Sequence, residues 1–348
     1  MFEREFAEYY DVGYAITTTS GSTALEVALR AVAVGPGDEV ITPALTWVAP
    51  QLAAVMVGAD PVFVDVKPAT YCLDPSGVEA AITPRTKAII PVHLGGNPCD
   101  MDQIMSIADR HDLIVIEDCA QAHGSRYRGR LTGTIGHLGC FSFEKSKLMT
   151  AGEGGMVITN DPTWGNGAYR FVNTGMEYGA SARVPEGVAR WNLRMTEFQA
   201  AILRIQLTRL EVERASRSSH AAVLDERISL IPGLSPLERA SAQNYYSYVF
   251  KYDAAQFSGV PVDMFREALN AEGLPCFSSA SHQLAYHPTL FHSPRKSYDG
   301  VRLAVAEKAR YQEAVGIHGN RALLDTDRGI EDIVGAISKV TDNIGRLL

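Results

Sequence analysis

Short runs of apolar and β-branched residues recur between residues 13 and 160: Glu39-Val40-Ile41, Val62-Phe63-Val64, Ala88-Ile89-Ile90, Leu113-Ile114-Val115-Ile116 and Met156-Val157-Ile158. Each is too short for a helix and nearly continuous in apolar character, as strands buried on both faces should be. Between them lie helix-like stretches, Thr23 to Val32, Val48 to Val57, Pro75 to Ala81 and Met101 to His111. Strand alternating with helix predicts an α/β fold built on a mostly parallel, doubly wound sheet.

The pattern changes at Met195. Thr196-Glu197-Phe198-Gln199 reads as a capping box, and Phe198, Ala201, Ile202, Ile205 and Leu210 form one apolar stripe on a long helix leading out of the first domain. Beyond it come an aromatic strand, Tyr245 to Tyr252, a helix ending at Gly273, and a last helix after Asp327 with Ile330, Ile333, Val334 and Ile337 at helical spacing. The expected division is a large domain over 1–225 and a smaller C-terminal α+β domain over 226–348. The stretch from Ser281 to Gly300, rich in His, Pro and Ser, reads as an irregular loop.

Composition narrows the partners. The 348 residues carry 32 Lys and Arg against 40 Asp and Glu, so 32 − 40 = −8, the wrong sign for a phosphate-backbone binder. Nucleic acid is not expected as a partner. The five cysteines are scattered with no Cys-x-x-Cys pair, which predicts reduced thiols and a cytoplasmic protein. The charged start, Phe2-Glu3-Arg4-Glu5-Phe6, is unlike a signal peptide, and no apolar run approaches the roughly 20 residues of a membrane span.

Four segments could carry chemistry, and each also has a plain structural reading. Ser20-Gly21-Ser22-Thr23 opens a helix after a short apolar stretch, which suits a phosphate or an ordinary cap. Asp118 follows the Leu113 to Ile116 strand, at the edge where parallel sheets bind ligands. Glu117, Asp118, Cys119 and His123 diverge in direction on or after a strand, so a metal site is not expected. Lys147 sits in a polar loop between Phe141-Ser142-Phe143 and the turn Gly152-Glu153-Gly154-Gly155, either solvated or beside a ligand. Trp47, near a helix start, packs in a core or covers a flat ligand. Competing signatures are poor, since Gly35-Pro36-Gly37 lacks the third glycine of a dinucleotide fingerprint and no Gly-x-x-x-x-Gly-Lys-Ser/Thr occurs.

Together, Ser20-Gly21-Ser22-Thr23-Ala24-Leu25, Asp118-Cys119-Ala120-Gln121, Phe141-Ser142-Phe143 with Lys147, Gly152-Glu153-Gly154-Gly155 and Asn192-Leu193-Arg194-Met195 resemble the DegT/DnrJ/EryC1/StrS aminotransferases, in order over nearly the whole chain. The resemblance implies the fold type I aminotransferase architecture, pyridoxal 5'-phosphate as cofactor, and a homodimer with active sites at the subunit interface. It matches Lys147 to the lysine that joins the cofactor covalently and Asp118 to the acid that pairs with its pyridine nitrogen. Gln121 matches the residue near the ring's phenolic oxygen, Trp47 the aromatic over the ring, and Gly21, Ser22 and Ser142 the phosphate cradle. Asn192 matches an asparagine reaching the phosphate from the neighbouring subunit. Lysine at position 147 sets the chain apart from the family's dehydratases, in which it is replaced.

Within the family, Lys147-Leu148-Met149-Thr150-Ala151-Gly152-Glu153-Gly154-Gly155 and Pro91-Val92-His93-Leu94 look most like the aminocyclitol and aminohydroxybenzoate branch. That implies L-glutamine, or else L-glutamate, as donor and a keto cyclitol such as an inosose as acceptor. The alternatives are a nucleotide-linked keto sugar, an aminohydroxybenzoate-synthase-like reaction, or a pyridoxal-phosphate-binding chain without turnover, because family members usually carry several dozen residues before the position of Phe2. Arg126-Tyr127-Arg128-Gly129-Arg130 reads as a solvated hairpin before a nucleotide contact, and His282, Tyr286 and His287 as candidates for the approach to substrate.

Overall fold

The computed structural model describes residues 1–176, 190–239, 242–278 and 284–347. The first part of the chain runs α1 (Phe2–Tyr10), β1 (Tyr14–Thr18), α2 (Gly21–Ala31), β2 (Glu39–Pro43), α3 (Ala49–Val57), β3 (Asp60–Val64), α4 (Pro75–Ala81), β4 (Thr86–Ile89), α5 (Met101–His111), β5 (Ile114–Asp118), β6 (Arg126–Tyr127), β7 (Arg130–Leu131), β8 (Leu138–Ser142), β9 (Gly155–Thr159) and α6 (Pro162–Val172). Seven of these strands form one sheet in the order β1-β9-β8-β5-β4-β2-β3, in which only β9 runs against the others. The predicted doubly wound α/β sheet is therefore present.

Its strands are continuously apolar because successive side chains enter two different cores. Ile16, Val40, Ala88, Ile116, Cys140 and Val157 pack with α2, α3 and α6 on one face. On the other face Ile41, Ile89 and Val115 join α4 and α5, while Ala15, Phe141, Met156 and Ile158 meet α1. There Phe6 stacks on Tyr10 at 4.5 Å and meets the ring of Phe141 edge-on at 5.2 Å.

The rest comprises α7 (Glu197–Ser229), β10 (Leu234–Pro236), β11 (Tyr248–Tyr252), α8 (Val262–Ala271), β12 (Cys276–Phe277), α9 (Ala304–Lys308), β13 (Ala314–Ile317), α10 (Gly319–Ala322) and α11 (Asp327–Asp342). A four-stranded antiparallel sheet, ordered β10-β11-β13-β12, carries α8 and α11 over a separate core. The capping box at Thr196 forms as expected, with Thr196 and Gln199 capping each other. From there α7 runs unbroken, with Leu203 and Leu210 in the core beneath α1 and Leu224 and Ile228 in the core of the second sheet.

The apolar stripe lies on α7 as expected, but little of it turns inward. Of its five members only Leu210 is buried, whereas Phe198 is 86% and Ile205 65% exposed, so most of the stripe faces away from the chain's own core. Among the described residues no helix is long and apolar enough to cross a membrane.

Candidate active site

The C-terminal edge of the large sheet collects the polar ends of its strands. β5 ends at Asp118, a residue 5% exposed whose carboxylate accepts the Ala120 N–H at 3.0 Å. The adjoining main chain is pinned by Asp118 N–H to Pro91 C=O at 2.9 Å and Cys119 N–H to Cys140 C=O at 2.8 Å. Burial pushes the Asp118 carboxyl above its ordinary range, against the opposing influence of that hydrogen bond and of the Lys147 charge. A carboxylate so placed is complementary to a buried cation.

The neighbouring acid does something else. Glu117 accepts N–H groups from Gly133, Ile135 and Gly136 at 2.8, 2.7 and 2.6 Å, and its Oε2 lies 2.9 Å from His93 Nε2. His93 Nδ1 accepts the Cys99 N–H at 3.0 Å, which assigns the ring proton to Nε2 and makes it the donor to Glu117. His93, Glu117 and Cys119 do converge within 4.8 Å, but the lone pairs of His93 and Glu117 already serve this clasp, which ties two loops to the end of β5. Neither Asp118 nor His123 joins the group.

Lys147 is carried by the loop after β8. Glu144 accepts both the N–H and the hydroxyl of Ser146, at 2.9 and 2.5 Å, and its own C=O accepts the Lys147 N–H at 2.9 Å. The Lys147 Nζ lies 4.5 Å from the centre of the Tyr246 ring. Ser20 caps α2 on the facing side, leaving the first-turn N–H groups of Gly21 and Ser22 without intrahelical acceptors. The positive end of a helix dipole thus points into the site. Glycine is needed at 21 because a Cβ there would stand 2.6 Å from the Ser142 Cβ.

Gln121 is oriented by its surroundings. Its Oε1 accepts the Gly95 N–H at 2.7 Å, so the amide presents its NH₂ as a donor; Gly95 adopts φ 65°, a left-handed conformation suited to glycine. Trp47, 55% exposed, stands at the mouth of the site.

A cavity of about 460 Å³ joins these groups, its wall including Gly21, Ser22, Trp47, Asp118, Gln121, Ser142 and Lys147. Asn192 is not in this wall; it is exposed and forms a β-bridge with Asn173. Tyr286 is buried against Phe63 and bonds Glu307, and His287 bonds Thr289, so neither reaches the cavity. His282 lies outside the described residues. The arginine-rich stretch is indeed a hairpin, with Arg126 bonding Gly129, Arg128 paired with Asp102 and Arg130 bonding Thr134.

Sequence reasoning missed part of the wall: Glu144, Glu153, Tyr246, Phe277 and His318. The aromatic run Tyr245-Tyr246-Ser247-Tyr248 was a visible signal, but nothing local tells which of its rings turns towards Lys147.

The donor set fits pyridoxal phosphate. The cavity offers a buried carboxylate for a pyridinium, an amine for an aldehyde, an amide NH₂ for a phenolate, a helix N-terminus with the Ser22 and Ser142 hydroxyls for a phosphate, and an indole for a flat ring.

A sequence profile of the DegT/DnrJ/EryC1/StrS aminotransferase family matches residues 1–331. The chain is 39% identical over 363 residues to the L-glutamine:2-deoxy-scyllo-inosose aminotransferase of Micromonospora echinospora, covering 98% of this chain and 86% of that protein. Among solved structures it resembles 3-amino-5-hydroxybenzoic acid synthase, with TM-score 0.89, 34% identity, and 99% and 90% of the two chains covered. It also resembles NtdA from Bacillus subtilis with bound cofactor PMP, with TM-score 0.84, 27% identity, and 97% and 76% covered.

Proposed function

The chain belongs to the DegT/DnrJ/EryC1/StrS aminotransferase family, and we propose that it is a pyridoxal-phosphate-dependent enzyme moving an amino group from L-glutamine to a keto cyclitol of the inosose type. The observation that carries this reading is one cavity holding Lys147, Asp118 and the N-terminus of α2 together. The inosose aminotransferase relative supports the donor and the acceptor class. The likeness to 3-amino-5-hydroxybenzoic acid synthase favours, as second reading, a reaction leading to an aminohydroxybenzoate.

Pyridoxal phosphate, when bound, supplies the conjugated ring that takes up the electron pair left by the donor's α-proton. The chain's own residues do the rest. Lys147 Nζ would hold the cofactor through its aldehyde carbon and, as a free amine, would accept and return the donor's α-proton. Asp118 holds the pyridine nitrogen protonated, and Gln121 donates to the phenolic oxygen. Gly21, Ser22 and Ser142 hold the phosphate, and Trp47 covers the ring. These roles assign cofactor binding to the 1–225 part, with 226–348 closing over the substrate side.

The test is the visible spectrum of the chain loaded with pyridoxal phosphate. Adding L-glutamine is expected to abolish the yellow band, and scyllo-inosose or 2-deoxy-scyllo-inosose to restore it. A band that persists with L-glutamine overturns the donor assignment, and its loss with L-glutamate instead makes L-glutamate the donor. Restoration by a nucleotide-linked keto sugar but by neither inosose overturns the acceptor.

The same reading makes the enzyme a homodimer in which Asn192 serves the partner's cofactor phosphate. Its support is the uncovered apolar row of Phe198, Ile202 and Ile205, with Trp191 beside Asn192 also exposed. Phe198→Asp combined with Ile205→Asp is expected to give a monomer in sedimentation velocity, where the parent chain sediments as a dimer. A parent chain that sediments as a monomer would refute this.

A further inference from the structure

Lys147 is gripped from two sides. The large sheet supplies its loop, but the outer contacts come from much later in the chain. Tyr246 lays its ring over Nζ at 4.5 Å, and its hydroxyl lies 3.0 Å from Ser146 Oγ. The Asn320 side-chain amide donates to the Ser146 carbonyl. Ser146 is in turn bound through its N–H and hydroxyl to Glu144, the residue whose carbonyl holds the Lys147 N–H.

Tyr246 has little freedom of its own. Its N–H donates to the Gly95 carbonyl at 3.0 Å, and its carbonyl accepts the Asn320 N–H at 3.3 Å. Gly95 is the residue whose N–H orients Gln121. One hydrogen-bonded chain therefore runs from Gln121 through Gly95, Tyr246 and Asn320 to the lysine loop, spanning both ends of the cavity.

We propose that Tyr246 is a positioning residue for Lys147, its ring face holding the amine and its backbone registering that amine against Gln121. This rests on Lys147 being the cofactor lysine. A flexible four-carbon side chain in a half-open cavity samples many rotamers, and an aromatic face restricts them by attracting the ammonium. The carboxylates of Glu144 and Asp118 also feel the Lys147 charge, and neither of them is a flat ring.

Two variants separate the ring from the hydroxyl: Tyr246→Leu leaves an apolar side chain without the aromatic face, and Tyr246→Phe removes only the link to Ser146. In the full chain stripped of cofactor, re-addition of pyridoxal phosphate is followed by the rise of the visible band and by its circular dichroism. Tyr246→Leu is expected to slow capture about fivefold and to lower the dichroism per bound cofactor, while Tyr246→Phe stays within about twofold of the parent, as loss of a single cation–ring contact implies. Wild-type behaviour of Tyr246→Leu, or equal damage in Tyr246→Phe, overturns the proposal.

Trace acetylation of the cofactor-free chain, read by peptide mass spectrometry as the Lys147 to Lys145 ratio, keeps this separate from the cofactor assignment. Exposed Lys145 is the internal reference. Tyr246→Leu should raise the ratio about fivefold, and an unchanged ratio overturns the role of the ring. A borohydride-fixed adduct on a lysine other than 147 in the parent chain would instead defeat the cofactor assignment, whatever the acetylation ratio.

Discussion

Replacing Lys147 by alanine should leave a folded chain that binds pyridoxal phosphate only reversibly and transfers amino groups at least about 10⁴-fold more slowly. The size of the loss follows from the double use of one amine as tether and as proton carrier. The fold should survive because the backbone contacts of residue 147 remain: its N–H still reaches the Glu144 carbonyl, and the Ser146 bonds to Glu144 and Tyr246 do not involve its side chain. The check is intact mass after borohydride reduction, with far-ultraviolet dichroism as the control for folding. A cofactor adduct retained at another lysine would remove Lys147 from its role.

Asp118→Asn should have the second largest effect, and opposite signs for activity and stability. Turnover should fall about 10³-fold, the scale on which a fixed charge facing developing charge contributes. Asparagine cannot hold the pyridine nitrogen protonated. Stability should move the other way in the cofactor-free chain. Burial raises the Asp118 carboxyl's pKa in the folded state, so ionisation at neutral pH is less favourable folded than unfolded, and the charge destabilises the fold there. That cost disappears as pH falls below the ordinary carboxylate range, where the side chain is protonated in both states. Asp118→Asn should therefore raise the melting temperature of the cofactor-free chain at pH 7 and change it little at pH 3. With cofactor bound, the parent chain should recover the advantage, because the pyridinium neutralises the carboxylate. Thermal melts at both pH values, with and without pyridoxal phosphate, decide it; equal melting of the two cofactor-free chains at pH 7 would contradict the argument.

How much of this was legible beforehand depends on how local the cause is. The runs Val40-Ile41 and Val115-Ile116 announced strands buried on both faces, and the structure sends their successive residues into two cores. Thr196 and Gln199 announced a helix start because a capping box is complete within four residues. β8 was harder. Phe141-Ser142-Phe143 reads as an apolar entry to a loop until β5 and β9 are seen to flank it. The row of Phe198, Ile202 and Ile205 has the periodicity of a buried face, yet periodicity cannot say whether the same chain covers it, and here the row is left exposed. The seven cavity residues lie within 127 positions of one another yet come from two strand ends and two helix starts; family resemblance selected them, and topology gathered them. Tyr246 could not be singled out within its aromatic run, because its meaning depends on a residue 99 positions earlier.

The edge position of β1 bears on how the protein is made. Among the described residues Tyr14–Thr18 pairs only with Gly155–Thr159, and α1 rests on Phe141, Phe143 and α7, so these segments have partners made about 130 to 200 residues later. Closing so long a loop costs conformational entropy before any contact repays it, which makes this pairing a late event in folding. Gly21 likewise meets Ser142, 121 positions later. During synthesis the chain thus carries Asp118 and Gln121 before Ser142 has emerged to meet Gly21, and the wall that joins these residues is completed only afterwards.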